Sequence, residues 1–78
     1  MEQVYVLTEE RETSVSCRIC GVWRSREDAC EEMLRNIKEN PLFTEESRID
    51  LDLGIAESTP DYCEEEYCNY SVLEYEIL

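Results

Sequence analysis

Histidine is absent from this chain. Its absence removes Ser-His-Asp and Cys-His catalysis and every His-ligated metal site. Glycine occurs only twice, too seldom for a phosphate-cradling loop. Basic residues are scarce: seven Lys and Arg face twenty Asp and Glu, a formal net charge of −13. No apolar run approaches the roughly 18 residues of a transmembrane span. The opening residues, Met1-Glu2-Gln3-Val4-Tyr5, have neither the basic nor the apolar region of a secretory signal, so the expected location is cytoplasmic.

What is present is enough for one small domain spanning residues 1–78. A chain this short buries only about 60–65% of its unfolded surface, so the core must be small. The 42% apolar content still argues against full disorder. There are five cysteines, Cys17, Cys20, Cys30, Cys63 and Cys68, an odd number that cannot pair completely within one chain. A reducing cytosol would keep them as thiols.

The charge is unevenly spread. Residues 44–78 hold eleven acids and one base, Arg48, a net of −10. Residues 1–43 hold nine acids and six bases, a net of −3. Such density opposes compaction and repels phosphate, so direct nucleic-acid binding is disfavoured. A protein with a basic surface is the better-matched partner.

Residues 3–8, Gln-Val-Tyr-Val-Leu-Thr, read as a central strand buried on both faces. Residues 9–13 read as a polar turn and 14–23 as a second strand, antiparallel to the first. Ser25 is a fitting helix N-cap, with Asp28 three residues on and Glu27 in the first turn. Ala29, Cys30, Met33, Leu34 and Ile37 follow at helical spacing, and Pro41 closes the segment, which places a helix at 26–39. Its expected packing face is Ala29, Met33 and Ile37.

Residues 48–55 alternate: Ile49, Leu51, Leu53 and Ile55 against Arg48, Asp50, Asp52 and Gly54. This is the pattern of a half-buried strand. Residues 56–67 read as a loop, and 70–78 as a last strand with Leu73, Tyr75 and Ile77 on one side and Val72, Glu74 and Glu76 on the other. The expected fold is therefore α+β: a ββαββ chain forming a small antiparallel sheet of order 2-1-4-3, with one helix on one face.

Cys17-Arg18-Ile19-Cys20-Gly21 fits one half of a zinc knuckle, and Cys63 with Cys68 could supply the other half. Against this, Cys17 and Cys20 fall in a strand, where residues three apart point to opposite faces, and the second pair is widely spaced. Small buried or half-exposed thiols are the preferred reading, with no metal and no cofactor. Asp50-Leu51-Asp52-Leu53-Gly54 opens like a calcium loop. Its glycine comes at position five instead of six, and position twelve is Asp61 instead of glutamate. Nothing marks a carboxylate pair beside a nucleophile, so the chain is not expected to be an enzyme.

The remaining signal is the acidic surface. If the third and fourth predicted strands pair, Asp50, Asp52, Glu74 and Glu76 share a solvent-facing ladder, and Asp61, Glu64, Glu65 and Glu66 extend it. Tyr62, Tyr67 and Tyr70 stand among these acids, and tyrosine is enriched at interfaces. The bland alternative is a solvated, solubilising surface.

Val4-Tyr5-Val6-Leu7, Gly21-Val22-Trp23-Arg24-Ser25, Glu27-Asp28-Ala29 and the closing Tyr70-Ser71-Val72-Leu73-Glu74-Tyr75-Glu76-Ile77-Leu78 resemble the matching segments of a group of small uncharacterised bacterial and phage proteins. The resemblance spans both ends and the helix; the acidic middle departs from it. It implies a ββαβ-type fold and no particular activity. In size and charge, though in no motif, the chain is also similar to phage anti-CRISPR and anti-restriction inhibitors. That likeness implies a nucleic-acid mimic in the host cell cytosol that occludes a basic surface of a defence complex.

Overall fold

A computed structural model describes residues 2–11, 18–58 and 67–77. Its elements in order are β1 (Glu2–Arg11), β2 (Arg18–Trp23), α1 (Arg26–Glu39), β3 (Arg48–Asp50), β4 (Ile55–Glu57) and β5 (Cys68–Ile77). The strands form one antiparallel sheet of order β2-β1-β5-β4-β3. The α+β class and the single helix agree with the sequence reading, as does the run β2-β1-last strand. The strand count and full order differ, because the segment 48–55 is a hairpin and not one strand.

Three local features bend that segment. Gly54 has φ +68°, a left-handed conformation that glycine adopts without steric cost. The Asp50 carboxylate accepts a 3.1 Å hydrogen bond from the Leu53 amide, closing a turn in place of a ladder. Arg26, at the start of α1, donates to the carbonyls of Leu51 and Asp52 at 2.6 and 2.9 Å. The Val72 amide then donates to the Gly54 carbonyl at 2.7 Å and ties the turn to β5. Leu51 and Leu53 are consequently exposed, and the leucine alternation does not mark a buried strand face.

Helix α1 occupies its expected bounds. The Ser25 hydroxyl accepts from the Asp28 amide, Glu27 and Asp28 sit in the positive first turn, and Lys38 sits in the last. Ala29, Cys30, Met33 and Ile37 are buried against the sheet, together with Leu7, Ala56, Cys68, Tyr70 and Val72. Leu34 faces outward at 38% exposure. On β2 the Trp23 indole folds back over Gly21. A Cβ on Gly21 would meet the ring at 2.5 Å, so the glycine makes room for the tryptophan.

The register divides the sheet into two faces, since directly opposed residues share a side. Tyr5, Leu7 and Glu9 of β1 lie on the helix side with Cys68, Tyr70, Val72 and Glu74 of β5 at the neighbouring register positions. Val4, Val6 and Thr8 lie on the opposite side, facing Tyr75, Leu73 and Ser71. The apolar positions of β5 change phase at its midpoint: Cys68, Tyr70 and Val72 point toward the helix, whereas Leu73, Tyr75 and Ile77 point away. The second half of β5 is exposed throughout. Glu74 and Glu76 therefore stand on the helix side of the sheet, beyond the buried core, and the leucine, tyrosine and isoleucine stand on the open side. This is the reverse of the expected arrangement.

Candidate functional site

The expected ladder of Asp50, Asp52, Glu74 and Glu76 is not formed. Asp50 is in β3 opposite Ile55, and Asp52 is in the turn that follows. Glu74 and Glu76 face Tyr5 and Gln3 of β1. The hairpin places β4 next to β5, and only along Asn69–Ser71. Asp61, Tyr62, Glu64, Glu65 and Glu66 lie outside the described residues, as do Cys17 and Cys63. Tyr67 is half-buried, and its hydroxyl donates to Glu10 at 3.5 Å. Tyr70 is 2% exposed and belongs to the core, so it is not a surface contact.

The described acids separate by exposure. Glu9, Glu32, Asp50 and Glu57 are at least partly buried, and each is ion-paired: Glu9 with Arg11, Glu32 with Arg35, and both Asp50 and Glu57 with Arg48. The eleven exposed acids among the described residues take part in none of these pairs. Where burial demands a counter-ion the chain supplies one. Among the described residues, the exposed negative charge has no cation within ion-pair distance.

A second polar feature was missed by the sequence reading, which placed residues 9–13 in a turn. Strand β1 continues through Arg11, and Glu9 falls on the same side as Tyr5 and Leu7. Its carboxylate accepts from the Arg11 side chain at 2.9 Å and from the Tyr70 hydroxyl at 2.8 Å. Asn40 donates to the Tyr70 oxygen at 3.4 Å, and Phe43 stacks on the Tyr70 ring with centroids 5.7 Å apart. Burial raises the pKa of Glu9, but the hydrogen bonds from Arg11 and Tyr70 and the charges of Arg11 and Arg18 outweigh it and hold the carboxyl below its usual 4.5. Burial pushes the Tyr70 phenol up, which keeps its proton available to Glu9. The signal for this site was the period-two continuation Tyr5, Leu7, Glu9.

The group borders a cleft of about 440 Å³ lined by Arg18, Glu39, Asn36 and Leu42 as well. The lowered pKa makes the Glu9 carboxylate a weak base, and each of its oxygens already accepts one hydrogen bond. Burial raises the thiols of Cys20 and Cys68, so both are held in the weakly nucleophilic protonated form. The hydrogen bonds join β1, β5 and the C-terminal cap of α1 into one group.

No protein-family model matches the chain, and no match was found among curated proteins or solved structures. No helix among the described residues is long and apolar enough to cross a membrane.

Proposed function

We propose that this chain is a non-enzymatic binding protein that occupies a basic, nucleic-acid-binding surface of another protein. The observation that carries the reading is the partition of the acids among the described residues: the partly or fully buried carboxylates have counter-ions and the exposed ones have none. Uncompensated carboxylates repel one another and cost the fold stability. A basic partner converts that cost into attraction and steers association over the range of the Debye length, about 8 Å at physiological ionic strength. A defence nuclease or similar nucleic-acid-handling complex, blocked at its nucleic-acid channel, is the partner this chemistry suits.

The test is capture by the immobilised chain from a host lysate at low and high salt, with identification of what is retained. Proteins that bind nucleic acid should be retained at low salt, released at high salt and displaced by duplex DNA. Retained partners that duplex DNA fails to displace would make the acids a solvated surface and overturn mimicry.

A further inference from the structure

The face of the sheet opposite α1 has no covering element among the described residues. On it, Val6 stands between Val22 of β2 and Leu73 of β5, and Val4 stands opposite Tyr75. Ile77 continues the row on β5, and Ile19 lies further along β2. Val22, Leu73, Tyr75 and Ile77 are each 42–57% exposed, on the two strands that flank β1. Scattered exposed apolar residues are ordinary, but a contiguous exposed patch marks an interaction surface.

The border of this face identifies the occupant. Its strand positions carry Glu2 and Glu10 at the two ends of β1, and Asp50 and Glu57 at the far corner. The single cation among them, Arg48, is already shared by Asp50 and Glu57. The apolar centre is thus framed by net negative charge on a chain of net −13. A second copy would set acid against acid around the patch, where like charges are costly. A surface with an apolar centre and a lysine- or arginine-rich border matches on both counts.

We propose that the open face around Val6, Val22, Leu73 and Tyr75 is the docking surface for a partner protein whose apolar patch is bordered by basic residues. This rests on the proposed function and deepens it: the apolar face holds the partner, and the surrounding carboxylates select it. Affinity then comes from apolar burial at the centre, and the association rate from the charges.

The experiment uses the whole chain labelled with ¹⁵N and three synthetic peptides of equal length: alternating leucine–lysine, alternating leucine–glutamate, and oligolysine. Nuclear magnetic resonance titration reads the site, and sedimentation of the chain alone reads self-association. The leucine–lysine peptide should bind most tightly and perturb residues of β1, β2 and the second half of β5. Leu73→Ser with Tyr75→Ser should weaken it by at least about tenfold, as for anchors at the centre of an interface. Because both residues are exposed, that variant should keep a dispersed spectrum; Val22→Thr, nearly the same shape, supplies an independent weakening.

Each other outcome overturns a distinct part. Oligolysine binding as tightly, and equally to the variants, would leave the basic-partner reading standing and remove the docking face. Equal binding of the leucine–glutamate peptide would keep the face and remove the basic partner. A dimer of the chain that dissociates on Leu73→Ser would assign the face to a second copy.

Discussion

The hydroxyl of Tyr70 donates a 2.8 Å hydrogen bond to the carboxylate of Glu9 across the β1–β5 ladder, where the two residues are direct register partners. Both are buried, at the edge of the cleft. Tyr70→Phe should remove one donor from an ionised buried acceptor and destabilise the fold by about 1–3 kcal/mol. Urea denaturation followed by circular dichroism checks this. A variant as stable as the parent would show that the contact contributes nothing net.

The same network sets a pH dependence. The folded-state pKa of Glu9 is lowered from 4.5, so its contribution is present above that value and is lost as pH falls through the folded pKa. Comparison with Glu9→Gln isolates this contribution. The parent should be the more stable at pH 7, and the gap should close below about pH 4.5. A gap that widens on acidification would reverse the assigned direction.

Helix α1 offers a paired test. Met33 is fully buried and Leu34, one residue on, is 38% exposed. Met33→Ala should cost about 2–5 kcal/mol through lost burial and a residual cavity, and Leu34→Ala well under half as much. Thermal melts of the two variants give the ordering, and equal losses would contradict the assigned helix face.

The parts of the fold legible in the sequence are those fixed by local chemistry. Ser25, the first-turn acids, the Ala29-Met33-Ile37 spacing and Pro41 each act within a turn or two, and together they delimit the helix. The hairpin was not legible, because leucine alternation through Ile49 and Leu53 is also compatible with a turn. What decides is a long-range contact from Arg26 and the left-handed Gly54. The acidic ladder depended on that strand and fell with it. The open apolar face was legible in part: the phase change from Cys68, Tyr70 and Val72 to Leu73, Tyr75 and Ile77 is visible in the residues. Which half faces the helix is set only by pairing with β1.

Gly54 makes the hairpin testable. An alanine there would be held at φ +68°, with its Cβ 3.2 Å from the Val72 Cβ and 3.3 Å from the Val72 carbonyl oxygen. Left-handed backbone costs a non-glycine residue about 1–2 kcal/mol, before any movement of β5. Gly54→Ala should lose at least that much in equilibrium unfolding, whereas Leu53→Ala in the same turn, at 61% exposure, should be nearly neutral. Equal stability of Gly54→Ala and the parent would favour a continuous strand over the hairpin.

The exposed acids make the last case, and here the structure separates residues that the sequence grouped together. Glu74 and Glu76 are exposed, belong to no ion pair among the described residues and are two apart on one strand, a separation of about 6.7 Å. Asp50 caps the Leu53 amide and pairs with Arg48 at 3.8 Å. Reversing Glu74 and Glu76 to Lys should raise the melting temperature, because like charges are replaced by opposite ones in a field of net −13. Asp50→Lys should lower it, because a turn-closing acceptor is lost and the new cation faces Arg48. The gain should be largest at low ionic strength and shrink toward 0.15 M salt, where the screening length is about 8 Å. The loss at Asp50 should persist in salt, since a direct hydrogen bond is lost and not only a long-range attraction. Melting curves of the three proteins at two salt concentrations decide the matter. If Asp50→Lys stabilises as much as the Glu74 and Glu76 reversals, the acids act as one undifferentiated cloud, and the division into counter-ion-held and free carboxylates has no energetic meaning.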